Sequence, residues 1–126
     1  MRGLTFDTGA LVALERGDER LTALLDGVLG TPDAIIHIPA GVLAQAFRDG
    51  ARQVKLRRLL KRPQAKVVVL DERTACIAGM LLGARGGHDI VDASVVVCAH
   101  RYRQPVVTGD PDDLRRLAPG LSLRTV

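Results

Sequence analysis

The chain of 126 residues has no tryptophan, one tyrosine and two phenylalanines. With Phe6, Phe47 and Tyr102 as its only aromatics, it lacks the base-stacking platforms of RRM or OB-type single-strand binders. Its two cysteines, Cys76 and Cys98, both fall in apolar stretches. They are too few for a disulfide framework, and the reading they support is reduced, buried thiols in a cytoplasmic protein. No uncharged apolar run approaches the ~18–20 residues of a bilayer span, which excludes a transmembrane protein. The opening Met1-Arg2-Gly3-Leu4 does not begin a secretory hydrophobic region. His37, His88 and His100 have no zinc spacing, and Cys98 and His100, two apart on a helix, point to different faces. Neither a Gly-x-Gly-x-x-Gly fingerprint nor a Walker motif occurs. Ser94 and the cysteines lack the base and orienting group that nucleophilic catalysis requires.

What remains is an ordinary globular composition, 47% hydrophobic and 25% charged, of a length that makes residues 1–126 a single domain. The formal net charge is +4, and its distribution is more informative than its sum. Arg48, Arg52, Lys55, Arg57, Arg58, Lys61, Arg62 and Lys66 face a single acid, Asp49, in their segment. The rest of the chain is slightly acidic. Such a basic segment neutralises phosphates with salt-dependent affinity; the plain alternative is a solvated helix face.

Periodicity alternates short β-rich runs with helical patterns. Leu4–Phe6 reads as a strand ending at Asp7. A helix from Thr8 to Arg16 is stopped by Gly17, and Asp18 caps a second one that ends near Gly30. Ile35–Ile38 is a strand, and helix 39–49 buries Val42, Leu43, Ala46 and Phe47. A basic helix over 51–62 covers Val54, Leu56, Leu59 and Leu60. Lys66–Leu70 is a strand, Asp71 opens a helix to Gly83, and 84–88 is a loop. Asp89 begins a helix through Ala99 despite its β-branched run. Pro105–Thr108 is a strand, Asp110-Pro111 starts a short helix to Leu117, and Leu121–Thr125 is a last strand. Strands joined by helix-length connections predict a three-layer α/β domain, a parallel sheet of about five strands flanked by helices.

Two segments echo each other: Leu4-Thr5-Phe6-Asp7 and Val106-Val107-Thr108-Gly109-Asp110. Each is a strand whose carboxyl end delivers an aspartate to a helix start. In open parallel sheets the binding crevice lies outside those ends, where strand order reverses. If the two strands are central neighbours, Asp7 and Asp110 share that crevice, and Asp89 and Asp92 project the same way. Each aspartate also reads as a helix cap: Asp110 before Pro111, Asp89 with Asp92, Asp7 before Thr8. Convergence favours more than capping. Clustered carboxylates raise one another's pKa unless a cation lies among them. Hard oxygens with open water positions suit Mg²⁺ or Mn²⁺, which activates water and clamps phosphoryl oxygens.

At this point the sequence resembles the PIN-domain ribonucleases, specifically the VapC-type toxins. The carriers are Phe6-Asp7-Thr8, the run Ile38-Pro39-Ala40-Gly41-Val42-Leu43-Ala44-Gln45-Ala46-Phe47-Arg48, Asp89-Ile90-Val91-Asp92-Ala93, and Val107-Thr108-Gly109-Asp110-Pro111-Asp112-Asp113-Leu114. The resemblance implies a Mg²⁺- or Mn²⁺-dependent endoribonuclease acting on structured RNA such as tRNA or rRNA. It further implies a homodimer neutralised by a VapB-like antitoxin. Asp7, Asp92 and Asp110 match the family's metal-binding aspartates, with Gly109 where a serine is usual. Thr8 and Thr108 match hydroxyl positions that hold carboxylates and water, and Asp89 and Asp113 are auxiliary acids. Arg48, Arg52, Lys55 and Arg58 gain a role as RNA phosphate contacts.

Gln45 departs from the pattern, standing at a catalytic position where most relatives carry glutamate. The amide keeps an acceptor oxygen and loses a negative charge and its basicity. Asp89, Asp113 or Asp49, placed one turn after Gln45 in helix 39–49, is a possible substitute. The rival reading is a catalytically weak PIN module that binds RNA or antitoxin. A phosphoaspartate mechanism on Asp7 needs a lysine near the crevice, and no lysine follows a strand in the last half of the chain.

Overall fold

The computed structural model describes residues 3–126; Met1 and Arg2, part of the N-terminal reading above, lie outside the described residues. In chain order the elements are β1 (Gly3–Phe6), α1 (Thr8–Arg16), α2 (Glu19–Leu29), β2 (Ile35–Pro39), α3 (Ala40–Ala46), α4 (Val54–Leu60), β3 (Ala65–Val68), α5 (Glu72–Arg85), α6 (Ile90–Tyr102), β4 (Val106–Thr108), α7 (Pro111–Leu117) and β5 (Leu123–Thr125). The five strands form one sheet in the order β3-β2-β1-β4-β5, with every pairing parallel. This is the expected α/β architecture.

Strand order reverses between β1 and β4, which are direct neighbours with Phe6 paired to Val107. Their carboxyl ends therefore open on a switch-point crevice. The three inner strands are buried and largely apolar because helices cover both faces of a parallel sheet: Leu4, Phe6, Ile36, Ile38, Val106 and Val107 are fully buried. The edge strands β3 and β5 are only partly covered. The buried Gln104 ties β1 to β2 through three contacts. Its Oε1 accepts from Thr5 Oγ1 at 2.9 Å and lies 3.0 Å from His37 Nδ1, and its Nε2 donates to the Ile35 carbonyl at 3.1 Å. His37, stacked on Tyr102, is thus a packed structural histidine.

Helix starts follow the expected caps. Asp18 and Asp71 accept from Leu21 N and Thr74 N, and Gly17 ends α1 in the left-handed conformation. Several expectations need correction. Helix 39–49 stops at Ala46, because Gln53 closes its end: its Nε2 donates to the Ala46 carbonyl, and its Oε1 accepts from the Arg48 and Asp49 amides. Phe47, expected in the core, is 43% exposed as a result. The basic helix spans only Val54–Leu60, and Val54 is exposed on its first turn. The third strand is Ala65–Val68, so Val69 and Leu70 lie in the following turn, exposed. Helix α5 runs to Arg85, two residues beyond the expected end at Gly83. Cys76 is exposed, while Cys98 is buried as expected, its sulfur 3.7 Å from Thr5 Oγ1.

Candidate active site

Asp7 ends β1 and begins α1, and burial leaves it 8% exposed. Its Oδ1 accepts from Ala10 N at 2.9 Å, so the residue caps its helix and faces the crevice together. Burial holds its pKa above the ordinary carboxylate value, while the Thr108 hydroxyl and the amides of Ala10, Gly109 and Gly9 pull it partly back. Thr108, at the end of β4, also accepts from Asp110 N at 2.9 Å. The hydroxyl that helps to lower the Asp7 pKa thus also braces the Asp110 backbone. Asp110 stands at the cap position of α7 without a side-chain cap bond. The capping alternative thus fails for Asp110 and holds for Asp7.

The two strand ends approach unusually closely. A Cβ on Gly9 would sit 2.8 Å from Gly109 N and 3.4 Å from Asp7 Oδ1. Glycine at position 9 lets the backbones carrying Asp7 and Asp110 meet. A second close approach, 3.2 Å from a Cβ on Gly41 to Val91 Cγ2, seats α3 against α6.

Asp89 caps α6 by accepting from Asp92 N at 2.9 Å. Asp92, one turn inside, has its pKa pushed up to about 6 by burial first, then by the charges of Asp89, Asp7 and Asp110; Arg116 opposes them. The structure thus brings four of the expected acids into mutual electrostatic range. Among the described residues, no three His, Cys, Asp or Glu side chains are gathered into a coordination shell. Like charges repel at such range unless a cation lies among them. The donor chemistry fits a hard cation: carboxylate oxygens, with no histidine or thiol among them.

Gln45 joins this group through Thr8, whose hydroxyl donates to Gln45 Oε1 at 2.6 Å. Thr8 therefore holds Gln45 beside Asp7. Arg48 follows, its Nε donating to the Gln45 main-chain oxygen at 3.0 Å. The other candidates are less central. Asp113 is engaged by Arg116 in an i, i+3 pair. Asp49 lies beyond the end of α3 and pairs with Arg52 at 3.4 Å, so it does not stand one turn along a helix from Gln45. Lys55 and Arg58 are on α4, which Glu15 anchors by accepting from Leu56 N at 3.0 Å. Glu15 is seven positions along α1 from Thr8, about 10 Å at helical rise, and Lys55 Nζ lies beside Gly17, so α4 packs at the far end of α1 from Asp7.

Sequence reasoning missed Arg116, Gly9, Gln53 and Glu15. The Asp113–Arg116 spacing was the available signal for Arg116. The others act through tertiary approach, which no local pattern encodes.

Fold and site together define a parallel α/β domain with an acidic, oxygen-donor cluster at its switch point. The chain matches the PIN domain family over residues 4–119 and belongs to that family. Solved structures agree in fold. The VapBC2 complex from Rickettsia felis bound to a promoter DNA fragment is 18% identical with a TM-score of 0.72, covering 98% of each chain. A toxin–antitoxin complex from Klebsiella pneumoniae is 15% identical with a TM-score of 0.72, covering 97% of this chain and 96% of that one. A sarcin-ricin-loop-cleaving VapC toxin from Mycobacterium tuberculosis is 16% identical with a TM-score of 0.65, covering 94% and 95%. No curated protein matches the chain.

Proposed function

We propose that this chain is a Mg²⁺- or Mn²⁺-dependent endoribonuclease of the VapC toxin type, acting on structured RNA in the cytoplasm. The observation that carries the reading is the convergence of Asp7, Asp92 and Asp110, with the charges of Asp7 and Asp110 felt at Asp92. The solved relatives support the class, since one is described as cleaving the sarcin-ricin loop and others as toxin–antitoxin complexes.

Asp7, Asp92 and Asp110 would hold the ion, with Asp89 adding charge behind Asp92. A divalent ion bound there supplies a Lewis acid for the phosphate and an activated water. The Ala10 amide holds the Asp7 carboxylate and Thr108 holds the Asp110 backbone, so neither would need to reorganise when phosphate charge shifts. Arg48, whose Nε bonds the Gln45 main-chain oxygen, would contact a phosphate beside the cluster, and Arg52, Lys55 and Arg58 would contact phosphates further along the strand. Reversing Arg52 and Lys55 to glutamate together should weaken RNA binding at least tenfold and flatten its salt slope by about two. Unchanged binding would remove these two residues from the interface.

A homodimer and a VapB-like antitoxin complete the reading. Val69, Leu70, Ile77, Met80 and Ile90 are exposed, Met80 by 76%. A groove of about 870 Å³ adjoins this set between α5, α6 and the 117–121 turn, and Ile77, Leu81 and Leu117 line it. Exposed apolar surface of this kind marks a protein–protein interface. Induced expression of the native chain in a bacterial host should arrest growth, and Asp7→Asn should not. Equal arrest by both, or none by either, contradicts a toxin that works through this site.

The second reading, a weak nuclease that binds RNA, is favoured only by Gln45, whose side-chain oxygen is already engaged by Thr8.

A further inference from the structure

Gln45 carries a second consequence, which rests on the nuclease reading above and assigns this residue a different task within it. A glutamine side chain has one acceptor oxygen and two N–H donors. Here the oxygen accepts the Thr8 hydroxyl at 2.6 Å, and the amide nitrogen makes no hydrogen bond among the described residues. The side chain therefore offers donors, and an amide N–H group does not ligate a cation. A glutamate would do the reverse, taking the same hydroxyl and presenting its second oxygen as an anion.

A second donor group is built beside it. Arg48 Nε donates to the Gln45 main-chain oxygen at 3.0 Å. Its own backbone is braced, since Arg48 N donates to Gln53 Oε1 at 2.9 Å and Gln53 Nε2 donates to the Ala46 carbonyl at 2.7 Å. The two terminal nitrogens of the guanidinium make no hydrogen bond or ion pair among the described residues. Helix α3 itself is seated on α6 through Gly41 and Val91, which fixes the helix that carries Gln45, and Arg48 follows just past its end. Arginine and amide donors are the side chains that grip phosphate oxygens.

We propose that Gln45 and Arg48 form a phosphate clamp that grips a phosphodiester of the RNA beside the aspartate cluster, and that Gln45 is not a metal ligand. The replacement of an acid by glutamine then moves this position from the ion to the substrate. It leaves the three aspartates to hold the ion and removes a negative charge from the path of a polyanion.

Two binding measurements on the full chain test this without turnover. Mn²⁺ affinity is read by calorimetry in the absence of RNA. Affinity for a mixed-sequence RNA hairpin is read in Ca²⁺, with the hairpin checked intact on a gel. Gln45→Ala and Arg48→Ala should each weaken hairpin binding about five- to tenfold and leave Mn²⁺ affinity within twofold of native. Arg48→Ala should reduce the salt slope by about one and Gln45→Ala should not, because only the arginine displaces a counterion. Gln45→Glu should weaken hairpin binding further while Mn²⁺ affinity holds or rises. A tenfold loss of Mn²⁺ affinity in Gln45→Ala, or hairpin binding within twofold of native, overturns the clamp. Asp92→Asn serves as the reference for the metal arm. Unchanged Mn²⁺ affinity in that variant overturns the nuclease reading instead, and the hairpin arm still decides the clamp.

Discussion

In EDTA at pH 7.5, Asp92→Asn should melt above the native chain, by about 3–8 °C, and should gain nothing when Mn²⁺ is added. The Asp92 carboxyl is pushed up to about 6 by burial and by Asp89, Asp7 and Asp110, against an ordinary value of 3.8. The folded state therefore keeps its proton up to about pH 6, while the unfolded chain releases it near 4. Folding takes up protons between those values, so without metal the protein loses stability as pH rises through that window and stays low above it. Asparagine removes the charge and keeps the shape. Discounted for its half-exposed setting, the shift corresponds to roughly 1–2 kcal/mol, which sets the melting difference. The gain should be absent below about pH 4. For the native chain, Mn²⁺ at a hundred times its dissociation constant should add about 2.7 kcal/mol by mass action. A variant that melts below native in EDTA, or that gains as much from Mn²⁺, would show that Asp92 has a structural role and is not a ligand.

Gly9→Ala should reduce RNA cleavage at least about a hundredfold while Asp7 and Asp110 are both still present. The added Cβ would lie 2.8 Å from Gly109 N, a contact with backbone on both sides that no side-chain rotation relieves. The ends of β1 and β4 must move apart by some tenths of an ångström or more. Overpacking of this kind costs about 1–3 kcal/mol. Displacement of reacting groups by about 1 Å costs about two orders of magnitude in rate. Ala at Gly27 meets nothing within 4 Å and serves as the control, with near-native cleavage. Native-level cleavage by Gly9→Ala would mean that the spacing of the two strand ends does not set the site.

The order of elements and the parallel sheet were legible because the strands are short and largely apolar and four of the helices carry their own aspartate cap. Asp7, Asp18, Asp71 and Asp89 all accept the expected first-turn amide. The pairing of Asp7 with Asp110 was legible through the repeated strand-then-aspartate pattern, and the β1–β4 neighbourhood realises it. Phe47 and Val54 were misassigned for one physical reason. Gln53 reaches back across a turn to close α3, an interaction between side chain and distant backbone that helical periodicity does not register. Asp49 followed from the same error, since a helix that ends at Ala46 cannot carry it along the Gln45 face. The exposure of Cys76, Ile77 and Met80 on α5 reflects a helix only lightly buried, with Ala78 its single fully buried residue. Apolar content alone does not distinguish a core face from one offered to a partner. The proximity of Gly9 to Gly109 and of Glu15 to α4 exists only once the sheet has assembled.

The measurement that bears most directly on the central claim is cleavage of total bacterial RNA by the purified chain in Mg²⁺, in Mn²⁺ and in EDTA, with Asp7→Asn run in parallel. A small set of discrete fragments from the native chain in Mg²⁺ or Mn²⁺, absent in EDTA and absent with Asp7→Asn, is the predicted result. Intact RNA under every metal condition, or the same fragments from Asp7→Asn or in EDTA, would contradict it.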